Sequence, residues 1–147
     1  MARLVRAALA LLVAVASTAA IATEDPIATR KALMDANGAS AKVGGLMLKG
    51  DVPFDANVAM AALANFRAVG YAFGDYFPES SKTGKTEASP KIWEDMAGFQ
   101  AAVAKFRTDS EAGLQSKPAT LDAFKAAFGQ VAGNCKSCHE KYRVDTD

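Results

Sequence analysis

The sequence predicts an all-α protein, an antiparallel up-and-down four-helix bundle. Apolar residues recur at spacings of three and four, with few β-branched runs and no alternating stretch, which is the signature of amphipathic helices. Caps, prolines and glycines divide this pattern into four segments of helical length. Two of the three links between them are short, so consecutive helices are expected to run antiparallel as neighbours.

The bundle is expected over residues 23–147, because residues 1–22 read as a signal peptide. "MARLVRAALALLVAVASTAAIA" carries Arg3 and Arg6, an unbroken apolar run from Ala7 to Ala16, and then small residues ending in Ala20-Ile21-Ala22, an A-x-A cleavage site. The run falls short of the roughly 20 apolar residues a spanning helix needs, so no membrane span is expected in the mature chain. Removing the two arginines takes the formal net charge from +1 to −1. That balance points away from nucleic acid and anionic membrane surfaces as partners.

The first helix is expected from about Asp25 to Lys49, with Pro26 in its first turn and Gly50 and Pro53 ending it. Its apolar stripe passes through Ile27, Met34, Ala41 and Leu48. Asp55 is a good N-cap for the second helix, which runs to about Phe73 with Leu63, Phe66, Gly70 and Phe73 on one face. "PESSKTGKTEAS", Pro78 to Ser89, is polar and rich in breakers and reads as a loop. The third helix opens at Ser89-Pro90, carries Ile92, Met96, Phe99, Val103 and Phe106 inward, and stops before Pro118. Thr120 starts the fourth helix, which continues almost to the end of the chain.

Inward residues of the fourth helix are Leu121, Phe124, Phe128, Val131, Cys135, Cys138 and Tyr142, an unbroken seam at spacings of three and four. Both cysteines therefore sit where core residues belong. His139, the only histidine in the chain, lies one turn beyond Cys135 on the same side. Three residues rise about 4.5 Å along a helix, so two sulfurs and one imidazole face a single compact patch.

C-x-x-C-H at Cys135–His139 is the attachment signature of c-type haem. Two thiols on one helical face can each add to a vinyl group of the same porphyrin, and the adjacent imidazole reaches the iron. A thioredoxin-type pair usually opens a helix after a strand, and no strand pattern is visible. Structural zinc needs two further Cys or His ligands that the chain lacks. A plain disulfide, ordinary in an exported protein, leaves His139 unexplained.

With these residues in view the chain resembles the class II c-type cytochromes, the cytochrome c-prime family. The likeness spans nearly the whole mature chain. "CKSCHEKYR" carries it most specifically, supported by "RKALMDANG" from Arg30 and "SPKIWEDMAGF" from Ser89. The resemblance implies one covalently attached haem c per chain, with thioethers at Cys135 and Cys138 and His139 as the proximal iron ligand. In low-spin members a methionine stands four residues after a first-helix arginine and ligates iron. In five-coordinate members that position is apolar. Here Arg30 is followed four residues later by Met34, so the resemblance implies a distal ligand at Met34 and the low-spin branch. It also implies a propionate contact for Arg30 and a basic residue, Arg143, tuning the proximal imidazole.

The residues themselves agree on Met34 while leaving packing open, since methionine fills core gaps readily. A lone histidine excludes bis-histidine ligation. Early turns of the first helix lie beside late turns of the fourth in an antiparallel bundle, whereas Met47 and Met60 belong at the far end. Arg30 and Arg143 also admit plain readings, as a solvated cation and as a helix C-terminal charge. Phe66, Phe99, Phe124, Phe128 and Trp93 read as core or haem packing, and Lys136 and Lys141 as solvated charge.

The expected function is that of a periplasmic one-electron carrier with His/Met axial ligation. It is not an enzyme, for the chain carries no acid–base pair and no nucleophile constellation. The competing expectation is a five-coordinate haem protein binding nitric oxide or carbon monoxide. Redox partner proteins are implied without being identified. "GASAKVGGLML" allows either a monomer or a homodimer.

Overall fold

The computed structural model describes residues 25–144, so the proposed signal peptide lies outside the described residues. Helix α1 spans Pro26–Lys49, α2 Ala56–Ala72, a one-turn α3 Lys91–Glu94, α4 Met96–Gln115 and α5 Leu121–Tyr142. The four long helices form the expected bundle, α1 packing on α2 and α5, and α4 on α2 and α5.

The helices begin where side chains satisfy otherwise orphaned amides. The Asp25 carboxylate accepts from the Ile27 N–H at 2.9 Å, and that of Asp55 from the Asn57 N–H at 2.7 Å and the Val58 N–H at 3.2 Å. The Thr120 hydroxyl oxygen accepts from the Ala123 N–H at 3.3 Å.

The third helix departs from expectation, because it breaks at Asp95 (φ −134°, ψ 57°) into α3 and α4. The break frees the Asp95 carboxylate to cap α4 through the Gly98 N–H at 3.0 Å and to accept from Lys141 Nζ at 2.7 Å and the Tyr142 hydroxyl at 3.2 Å. A Cβ at position 98 would crowd that carboxylate, which would have to shift to admit it. Lys141 is accordingly a tether between α5 and the break rather than a merely solvated charge.

Two apolar clusters fill the bundle. One joins Met47, Leu63, Phe66, Phe124, Phe128 and Val131; the other joins Phe77, Ile92, Phe99, Val103 and Tyr142, with Cys138 packed against it. Two predicted inward assignments need correction. Leu121 is 37% exposed, since it is the first residue of α5 and lies at the bundle end. On α1 the stripe Ile27, Met34, Ala41 and Leu48 is only half-buried, and the enclosed residues are Arg30, Gly44 and Met47. Facing α5, a Cβ at Gly44 would come within 2.4 Å of the Phe128 ring, so the two helices approach unusually closely there.

Candidate haem site

A cavity of about 510 Å³ opens between the early turns of α1 and the late turns of α5. That volume is in the range of pockets that enclose a cofactor. The fold brings all six predicted site residues to its walls: Arg30 and Met34 from α1, Cys135, Cys138 and His139 from α5, and Arg143 just beyond α5. Phe73, Phe77, Phe99 and Phe106 supply an aromatic wall. Several of these rings stack edge-on, Phe77 on Phe99 at 4.5 Å and Phe99 on Tyr142 at 5.4 Å between centroids.

Cys135 and Cys138 are half-buried and not joined to each other. Burial pushes both thiols up, and Cys135 raises Cys138 further. Activated redox thiols show the opposite shift, so the environment argues against a dithiol active site. Burial, then the Arg143 cation, lowers the His139 pKa, while Glu87 opposes them. The neutral imidazole, the form with a lone pair for a metal, is therefore favoured.

Among the described methionines, only Met34 lines this cavity. Met47 is 1% exposed within the far cluster. Met96 packs against the near cluster, where its Sδ accepts from Gln100 Nε2 at 3.8 Å.

Arg30 is not a solvated cation. It is 3% exposed, and two of its nitrogens make four hydrogen bonds to the segment after α2. Nη1 donates to the Tyr76 carbonyl at 3.1 Å and the Ser81 hydroxyl at 2.9 Å. Nη2 donates to the Ser81 carbonyl at 2.9 Å and the Thr86 hydroxyl at 2.6 Å. Its guanidinium carbon stands 4.9 Å from the Phe77 ring centre and 5.7 Å from that of Trp93. Its visible work is to fix the 76–86 segment over one side of the cavity. Arg143 is likewise engaged, its Nε donating to Glu87 Oε2 at 2.6 Å.

The profile of cytochrome c′ matches residues 25–143, nearly the whole described chain. The chain belongs to the cytochrome c′ family. It is 41% identical to a cytochrome c′ of Rhodopseudomonas palustris over 94% of both chains. It is 35% identical to a cytochrome c-556 of Agrobacterium tumefaciens over 80% of this chain and 94% of that one. A solved structure of cytochrome c′ from Rhodopseudomonas palustris superposes with a TM-score of 0.79 at 38% identity, covering 84% of this chain and 99% of that one. As a class II c-type cytochrome the chain holds one covalently attached haem c and is not an enzyme. No helix among the described residues is long and apolar enough to cross a membrane. The cavity suits the family's cofactor: two thiols and an imidazole on one helix, a thioether on another helix, and aromatic packing between.

Three features of the site were not anticipated. Glu87 pairs with Arg143 from the loop that the sequence marks only as polar and rich in breakers. Ser81 and Thr86 serve as acceptors for Arg30. Asp109, 7% exposed on α4, accepts from Asn134 Nδ2 at 2.7 Å, Gln130 Nε2 at 3.2 Å and Lys105 Nζ at 2.5 Å. A signal existed only for the last of these, because Asn134 is a polar residue three places after Val131 on the inward seam.

Proposed function

We propose that this cytochrome is a periplasmic one-electron carrier whose haem is tethered by Cys135 and Cys138 and ligated by His139 and Met34. The observation that carries the reading is that Met34 is the one described methionine in the cavity that also holds Cys135, Cys138 and His139. Haem, when bound, supplies the one-electron couple. The cysteines retain the group covalently, which a small exported protein needs if it is not to lose its cofactor. His139, kept neutral, offers a nitrogen lone pair. Met34 offers a soft thioether, which favours the ferrous state and raises the potential relative to harder axial ligands. With His139 and Met34 as ligands in both oxidation states, little rearrangement would accompany each electron. Residues 1–22 direct export in this reading, and the partners are other redox proteins.

The deciding measurement is the optical spectrum of the haem-loaded protein in both redox states, with and without carbon monoxide. A sharp low-spin α band insensitive to carbon monoxide is expected. Met34→Leu should convert the protein to a high-spin form that binds carbon monoxide. Were the wild type already high-spin and carbon monoxide-sensitive, the gas-binding reading would replace this one. Mass spectrometry of the exported protein should give a chain beginning at Thr23 plus one haem.

A further inference from the structure

The end of the long loop is laced to the end of α5 beside His139. Ala88 and Arg143 form an antiparallel bridge, the Val144 N–H donates to the Glu87 carbonyl at 2.8 Å, and the Ser89 N–H donates to the Tyr142 carbonyl at 2.9 Å. Arg143 in turn donates its own N–H to the His139 carbonyl at 3.1 Å. Two backbone bonds thus hold Glu87 in register with Arg143, and their side chains meet at 2.6 Å. Glu87, Arg143 and His139 all line the same cavity.

As a contribution to stability this pair is minor, because both side chains are nearly half exposed. Its position matters more. Arg143, four residues after His139, brings a cation to the cavity wall that carries the imidazole, and Glu87, bonded to Arg143 at 2.6 Å, brings an anion to the same wall. The imidazole stands in the field of a fixed pair of opposite charges instead of that of a lone cation.

Resting on the haem ligation proposed above, we infer that Glu87 is a positioning residue that holds Arg143 beside His139 and offsets its charge, thereby setting the reduction potential of the iron. Oxidation leaves one more positive charge on the iron–imidazole unit. An unopposed Arg143 resists that charge, and Glu87 relieves the resistance. Removing the Glu87 charge therefore favours the ferrous state, and removing the Arg143 charge favours the ferric state.

Glu87→Gln tests this, since the amide keeps an oxygen to accept from Arg143 and leaves both backbone bonds in place. Spectroelectrochemistry of the haem-loaded variant at low ionic strength should show the ferrous-to-ferric ratio about threefold higher at a given applied potential. At 59 mV per tenfold for one electron, this is a midpoint raised by about 28 mV. Glu87→Asp, which keeps the charge, should return most of the wild-type value, and Arg143→Gln should shift the midpoint downward. The Glu87→Gln shift should shrink at about 1 M salt, where the screening length falls to roughly 3 Å. An unchanged or lowered midpoint in Glu87→Gln overturns the inference, as does a shift that Glu87→Asp reproduces in full. The spectrum of the wild type reports separately on Met34 ligation, so failure of that reading is told apart from failure of this one.

Discussion

Arg30 grips Ser81 twice, Nη1 donating to its hydroxyl and Nη2 to its carbonyl, each at 2.9 Å. With Tyr76 and Thr86 also engaged, a single buried guanidinium replaces the packing that a polar loop cannot provide for itself. Lysine in its place would keep the charge but lose the planar fork that meets four acceptors. Arg30→Lys should therefore cost about 3 kcal/mol, because buried carbonyls and hydroxyls lose their donors. Urea unfolding of the holoprotein should show a lower midpoint with an unchanged slope. Amide exchange should accelerate over residues 76–88 before it does so in the helices. Exchange there at the wild-type rate would sink this account of Arg30.

Asp109 makes the bundle sensitive to acid. Burial pushes its carboxyl up, but the bonds from Lys105, Asn134 and Gln130 outweigh burial and hold it below the ordinary carboxylate range. A group held lower when folded adds stability above its unfolded value of about 3.9. That contribution is lost as pH falls through the folded value. The stability gap between wild type and Asp109→Asn should therefore be widest near pH 7, at about 2 kcal/mol, and should close in acid below that value. Urea titrations at pH 7, 5 and 3 read the gap directly. A gap of the same size at every pH would contradict the role assigned to the ionised carboxylate.

Elements set by local rules were legible in the sequence. Asp25, Asp55 and Thr120 cap the helices that their spacing predicted, and the three-and-four spacing that put Cys135 and Cys138 on the α5 seam also put them in the cavity. Met34 reached the same cavity because antiparallel register alone brings early α1 to late α5. What the sequence hid depends on partners far away along the chain. The break at Asp95 is sustained by Lys141 and Tyr142, 46 and 47 residues on, so no local propensity announces it. The burial of Arg30 requires acceptors from a loop 46 to 56 residues away, and an arginine amid helical residues ordinarily reads as surface. Glu87 gains meaning only from Arg143, 56 residues later.

The close approach of α1 to α5 offers a test by paired glycine substitutions. A Cβ at Gly44 would meet Phe128 Cε2 at 2.4 Å and Cδ2 at 2.9 Å. Phe128 is hemmed in by Phe124 and Phe66, with ring centres 5.3 Å and 6.0 Å away, so it cannot swing aside freely. Overpacking of this kind costs about 1–3 kcal/mol. The helix propensity gained by replacing glycine with alanine offsets at most about 1 kcal/mol of it. Gly129 on α5 is exposed and has nothing within 4 Å of an added Cβ, so only the propensity gain operates there. Gly44→Ala should lower the melting temperature of the holoprotein, and Gly129→Ala should raise it by a few degrees, roughly 4 °C per kcal/mol for a domain of this size. If both substitutions stabilise, the α1–α5 contact at Phe128 is looser than its geometry indicates, and the packing that aligns Met34 with α5 must come from elsewhere along the seam.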